Sequence, residues 1–215
     1  MASNATAVRP ASTSKIGSSI LLGISLLVGV TFIIGFVFPY FRLTAEALGP
    51  YVAKKGWILM HIIGGSVALL LGPFVLGLGL RQRRMQLHRK IGLAYMVSIG
   101  FSSVAAFYLA AHTDVSWVFG MGLSGLGIAW VTTTGLAFIS IRKRLITQHK
   151  EWMIRSYVTT FGFVSFRILV GVLTAANVGS VIDRLAAASW FCWAFPLLVT
   201  ELILQGRKVL GSARP

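Results

Sequence analysis

The stretch from Trp57 to Leu80 reads WILMHIIGGSVALLLGPFVLGLGL, twenty-four residues without a single Asp, Glu, Lys or Arg. About 20 apolar residues are what a helix needs to cross a hydrocarbon core. The segment then stops at Arg81-Gln82-Arg83-Arg84, a cluster that belongs in water or among lipid headgroups. A span bounded by basic residues is the unit from which the rest of the chain can be read.

Five more such stretches follow the same rule. With Trp57–Leu80 the spans run Ile16–Phe41, Ile91–Ala111, Val115–Ile141, Met153–Ala176 and Ile182–Leu204. The composition agrees: 56% of the residues are hydrophobic, 12% are charged and only five are acidic. Mean hydropathy is +0.80. Five carboxylates cannot solvate a 215-residue globule, so the fold class is an all-α six-helix integral membrane bundle. The first span is too long for the core of a cleaved signal, which runs about 7–15 residues.

Lys and Arg fix the expected topology. Fifteen fall at one end of the spans: Arg9, Lys15, Arg81, Arg83, Arg84, Arg89, Lys90, Arg142, Lys143, Arg144, Lys150, Arg155, Arg207, Lys208 and Arg214. Four fall at the other: Arg42, Lys54, Lys55 and Arg184. The positive-inside rule then places both termini in the cytoplasm and the protein in the cell membrane. The expected organisation is a disordered tail over 1–15, one transmembrane domain over 16–204 and a basic tail over 205–215. A charge of +15 in short clusters between apolar runs is topology and anionic-lipid contact, not a nucleic-acid footprint.

The two inner loops match each other. Leu80–Lys90 reads LRQRRMQLHRK and Ile141–Glu151 reads IRKRLITQHKE; a shift of 61 residues places Arg81 on Arg142, Arg83 on Arg144 and His88 on His149. The same shift maps the second and third spans onto the fourth and fifth. Such a parallel repeat relates its halves by an axis along the membrane normal.

Ionisable residues inside spans are the default functional candidates. Neutral imidazole is a good haem-iron ligand, and two from facing helices would hold haem b for electron transfer. His88 with His149 could form an inner pair. His61, with His112 or with Arg167 as a propionate partner, could form an outer one. The other reading of His88 and His149 is an interfacial hydrogen-bonding network, or contact with anionic headgroups. Arg167 lies roughly 21 Å along its span from Met153, on an expected stripe with His149, Ser156 and Thr160, and reads as a clamp for an anion or a propionate. Tyr95 shares a helix face with His88, Gly92 and Ser102, and Arg155 or Arg89 is the expected ion-pair partner of Glu201. Glycines at 65, 72 and 79, and at 120, 122, 125 and 127, mark faces for close helix packing, within the chain or between copies.

No H-E-x-x-H, G-x-S-x-G or P-loop motif occurs, and the single cysteine, Cys192, offers no thiolate cluster. No catalytic residue is assigned, and no metal site beyond haem. Two functions stand open: haem-mediated electron transfer, and a non-catalytic transporter or scaffold holding an anionic small molecule or lipid at Arg167.

The strings His61-x-x-Gly64-Gly65, Gly72-Pro73-Phe74 and Leu87-His88-Arg89 with Gly92 and Tyr95 resemble an uncharacterised family of multi-pass bacterial membrane proteins. His149-Lys150-Glu151-Trp152-Met153-Ile154-Arg155-Ser156-Tyr157, continuing to Arg167, carries the same resemblance. It spans roughly Trp57 to Gly171. It implies a multi-helix membrane fold and groups His61, His88, His149, Trp152, Arg155 and Arg167 as a polar signature. The family has no known activity, so the resemblance implies none.

Overall fold

The computed structural model describes residues 13–82 and 84–212, and every regular element among them is helical. The first, α1 (Thr13–Phe32), loosens into a π turn over Ile33–Val37 and a 3-10 turn over Phe38–Arg42. The cause is Pro39, whose ring lacks an N–H and crowds the preceding turn, so the Phe38 N–H reaches back to the Ile33 carbonyl instead. A one-turn helix, α2 (Ala45–Leu48), starts where the Thr44 hydroxyl accepts from the Ala47 N–H at 3.2 Å.

Long helices follow: α3 (Lys55–Arg81), α4 (Met85–Ala111) and α5 (Trp117–Arg142). Ser116 caps α5, its hydroxyl accepting from Phe119 N–H at 3.2 Å. The chain closes with α6 (Ile146–Thr160), α7 (Gly162–Ala175) and α8 (Val181–Ser212). Among the described residues five helices are long and apolar enough to cross a membrane, and α6 with α7, bent by 41°, makes a sixth when taken as one broken span.

Several boundaries differ from the sequence reading, and three of the differences need a physical account. Helix α4 begins at Met85 rather than Ile91, because the turn before it is made tightly by Gln82 and Arg84, both at positive φ. Met85, Gln86 and Leu87 then enter the helix with nothing to oppose them. The span expected over Met153–Ala176 breaks at Phe161. There Thr159 donates to the Arg155 and Ser156 carbonyls and Thr160 donates to the Ser156 carbonyl. Hydroxyls that bond back one turn bend helices. Helix α8 runs to Ser212, so most of the segment expected as a tail after Leu204 is helical. The N-terminal tail up to residue 12 lies outside the described residues.

Helices α3 to α6 form a four-helix core around Ala68, Val75, Tyr95, Ile99, Trp130, Ala137, Met153 and Tyr157. A second cluster, with Phe119, Leu126, Phe166, Ala188 and Cys192, seats α7 and α8 against α5. Lipid is as apolar as these side chains, so close fit rather than expulsion of water holds them together. Glycine supplies the fit: Gly72 lies under the Tyr157 ring, Gly122 under Ser189 and Gly127 under Phe107. These faces, expected from the sequence to pack closely, are filled by neighbours within the chain. Apolar side chains on α1 and α8, among them Leu21, Leu27, Phe191 and Leu202, point outward.

Contacts between helix ends set the arrangement. Arg81 donates to Ser19 at 2.9 Å, and Lys208 pairs with Glu151 at 2.8 Å. The start of α1 therefore meets the end of α3, and the end of α8 meets the start of α6. Both ends of the described chain lie at one end of the bundle, the end that carries the matched basic loops.

Candidate functional site

At the basic end, His88 and His149 face each other with ring centroids 6.4 Å apart and ring planes at 87°. Each ring is held in the same way. His88 Nδ1 lies 3.1 Å from the Val75 carbonyl of the preceding helix, and His149 Nδ1 lies 2.9 Å from the Ala137 carbonyl of its own preceding helix. A carbonyl only accepts, so both Nδ1 atoms carry the proton and both Nε2 atoms keep a lone pair. Both histidines are half-buried within the first turn of their helices and turn into the bundle.

Seven residues further in, Tyr95 and Ser156 also meet. Their hydroxyls are 2.9 Å apart, and Tyr95 Oη is 2.9 Å from Thr160 Oγ1 as well. Trp130 Nε1 donates to Thr160 at 2.8 Å, and Thr134 and Ser156 hydroxyls are 2.7 Å apart. Both contacts join positions 61 residues apart: His88 to His149, and Tyr95 to Ser156. Positions related by the repeat touch each other only near the axis that relates them. The two halves are therefore arranged about a line running between α4 and α6, which run parallel because their contacts keep the same order.

Arg155 and Trp152 do a different job. The Arg155 guanidinium is bound by Glu201 at 2.8 and 2.5 Å, with Glu151 at 3.7 Å and the Trp152 ring 4.6 Å beneath it. This ties α6 to α8. The expected outcome of a double-mutant cycle on Arg155→Met and Glu201→Gln is a coupling of about 1 kcal/mol in thermal unfolding in detergent. The value is modest because the Glu201 side chain is 43% exposed and solvent screens it.

The opposite end holds a cavity of about 130 Å³. His61, 7% exposed, forms part of its wall. Ser102 fixes the ring: its hydroxyl donates to the His61 carbonyl at 2.8 Å, while His61 Nδ1 lies 3.0 Å from Ser102 Oγ and 3.3 Å from Ser102 O. The Ser102 proton is spent on the carbonyl, so Nδ1–H is the donor here too, and Nε2 keeps its lone pair. Phe163 packs edge-on against the ring with centroids 4.8 Å apart.

Two sequence expectations fail at this end. His112 does not pair with His61; its Nδ1 donates to the Tyr108 carbonyl and its ring stacks on Tyr108, which stacks on Trp57. Such ring stacks belong at a membrane interface. Nor does Arg167 share a stripe with His149, Ser156 and Thr160, because the bend at Phe161 turns α7 away. Arg167 is exposed at the cavity rim, its guanidinium 5.7 Å from the Phe36 ring and 6.0 Å from Phe166. It makes no ion pair among the described residues: Asp114 holds Lys54, and Asp183 binds Ser180. Sequence reasoning missed Ser102 as the partner of His61, and Tyr40, Tyr51 and Phe36 as rim residues. The i, i+7 spacing of Tyr95 and Ser102 was the signal for the first; no local pattern marks the others.

A helical membrane bundle with a duplicated core, a paired-histidine site at its basic end and an aromatic cavity at the other defines the class of this protein. The chain belongs to the family of predicted membrane proteins (DUF2306), which matches residues 58–204. That stretch takes in both histidine sites and the duplicated core. No curated protein and no solved structure matches the chain.

Proposed function

We propose that the protein is a single-site haem b protein that moves electrons at the basic face of the membrane, with His88 and His149 as axial ligands. The observation that carries this is the pairing of the two rings with both Nδ1–H groups anchored to backbone carbonyls. Anchoring one ring nitrogen orients the other and raises its basicity, which is how protein frameworks prepare histidine for a metal.

Two histidines alone do not make a site for a bare ion. Among the described residues no group of three His, Cys, Asp or Glu is placed to hold one. A porphyrin brings four nitrogens of its own and needs only the two axial ligands; bound, it supplies reversible one-electron iron. Gly92, one turn from His88 on the same helix, has nothing within 4 Å of where a Cβ would stand. The surrounding arginines and lysines suit propionate carboxylates, and in this reading the same basic end faces the cytoplasm and anionic lipid of the cell membrane. The test is a reduced-minus-oxidised spectrum of protein purified in mild detergent from haem-sufficient cells. A sharp α-band is expected; monodisperse protein with a flat spectrum overturns the reading.

A second reading rests on a separate observation, Arg167 at the cavity rim with no ion pair among the described residues: a non-catalytic carrier or scaffold holding an anion there. Colourless protein that binds a small carboxylate, and loses it in Arg167→Gln, would favour it.

A further inference from the structure

We infer that the His61 cavity is a binding site for a single-ring hydroquinone, the hydroxylated aromatic headgroup of a membrane-borne redox lipid. Size comes first. A cavity of about 130 Å³ is close to the roughly 150 Å³ that accepts one benzene ring. Aromatic side chains line it, among them Phe36, Trp130, Phe163 and Phe166, and flat rings offer offset and edge contacts to a flat guest.

The polar groups then choose the guest. His61 is nine-tenths buried, and its Nδ1–H is committed to Ser102. Its Nε2 therefore presents a lone pair with no partner among the described residues, and it can be satisfied only by something that donates. A fully oxidised quinone has no proton to give; a phenolic hydroxyl has one. At the rim, Arg167 has no acidic partner among the described residues and offers N–H donors to an oxygen at the other end of the ring. One acceptor inside and one donor at the rim fit a ring with oxygens at opposite positions, the inner one protonated. Phe36, half exposed on the outer surface of the π turn that follows α1, borders the opening beside Arg167. An apolar tail on the ring would leave there into lipid. Tyr40 and Tyr51, 6.4 Å apart, complete a rim that can bond to the outer oxygen.

This site does not rest on haem. The test is titration calorimetry of the full chain in detergent with a decyl-substituted benzohydroquinone. The same titration is run with its dimethyl ether and with the matching quinone. One-to-one binding is expected, at least tenfold weaker for the ether and the quinone. His61→Asn, whose amide can still donate to Ser102 but has nothing in place of Nε2, should lose at least tenfold. Arg167→Leu should weaken binding without changing the preference for the hydroxyl. Equal affinity for hydroquinone and ether would overturn the proposal, as would unchanged binding in His61→Asn. Displacement by benzoate at matching concentration would also overturn it and mark a carboxylate site. Binding retained in His88→Ala protein separates this outcome from the fate of the haem reading.

Discussion

His88→Ala and His149→Ala are each expected to abolish the b-type spectrum, and to do so equally. The two rings are held by equivalent bonds from repeat-related positions, so neither is the primary ligand. Loss of one would remove half of the protein's hold on the iron, and the nearest hydroxyls, those of Tyr95, Ser156, Thr134 and Thr160, are already bonded to one another. Absorption at the α-band, normalised to protein, should fall to background in both variants while elution volume and far-ultraviolet helicity stay unchanged. Substitution of His61 should leave the band intact, since it lies at the far end of the bundle. A spectrum that survives His88→Ala, or one that depends on His61, would place the iron elsewhere.

Gly64→Val should prevent the α3–α4 hairpin from closing. A Cβ at Gly64 would stand 2.7 Å from the Ser98 carbonyl oxygen, 2.8 Å from Ser102 Cβ and 3.1 Å from Ser102 N. Two of these are backbone atoms of a helix and cannot swing aside, so the helices must separate. Overpacking costs about 1–3 kcal/mol where side chains can yield, and here the expected loss is at or beyond the upper end. Moving α4 also moves Ser102, so the bonds that orient His61 go with it. The measurement is the fraction remaining monodisperse after a thermal ramp in detergent. Gly100→Ala on α4 is the control: nothing lies within 4 Å of its Cβ position, and alanine should gain about 0.5–1 kcal/mol. If Gly64→Val melts with the native protein, the close approach of α3 and α4 is wrong.

The membrane bundle was legible from charge and hydropathy because those patterns are set by solvent, residue by residue. The 61-residue match of the basic loops likewise pointed to an axis before any contact was known. Positions inside helices were less legible. The break at Phe161 arises where two adjacent threonines, Thr159 and Thr160, bond their hydroxyls back one turn, which a hydropathy scan reads as mild polarity. Because that break redirects α7, the stripe drawn through Arg167 was wrong although each spacing in it was correct. The tautomers of all three buried or half-buried histidines depend on which carbonyl or hydroxyl from another helix lies beside Nδ1, and nothing within one helix reports that.

The axis between α4 and α6 also says what a single chain can do that two identical hairpins could not. Counting 61 residues on from His61 arrives at Gly122, which lies against Ser189 of α8. A symmetric pair of hairpins would carry His61 twice or not at all. By joining the halves in one polypeptide, the protein keeps a matched pair of imidazoles at the basic end and a solitary one at the other. One end stays symmetric and suits a ligand gripped from both sides; the other is free to be lopsided, with a base on one wall and a helix filling the place of its twin.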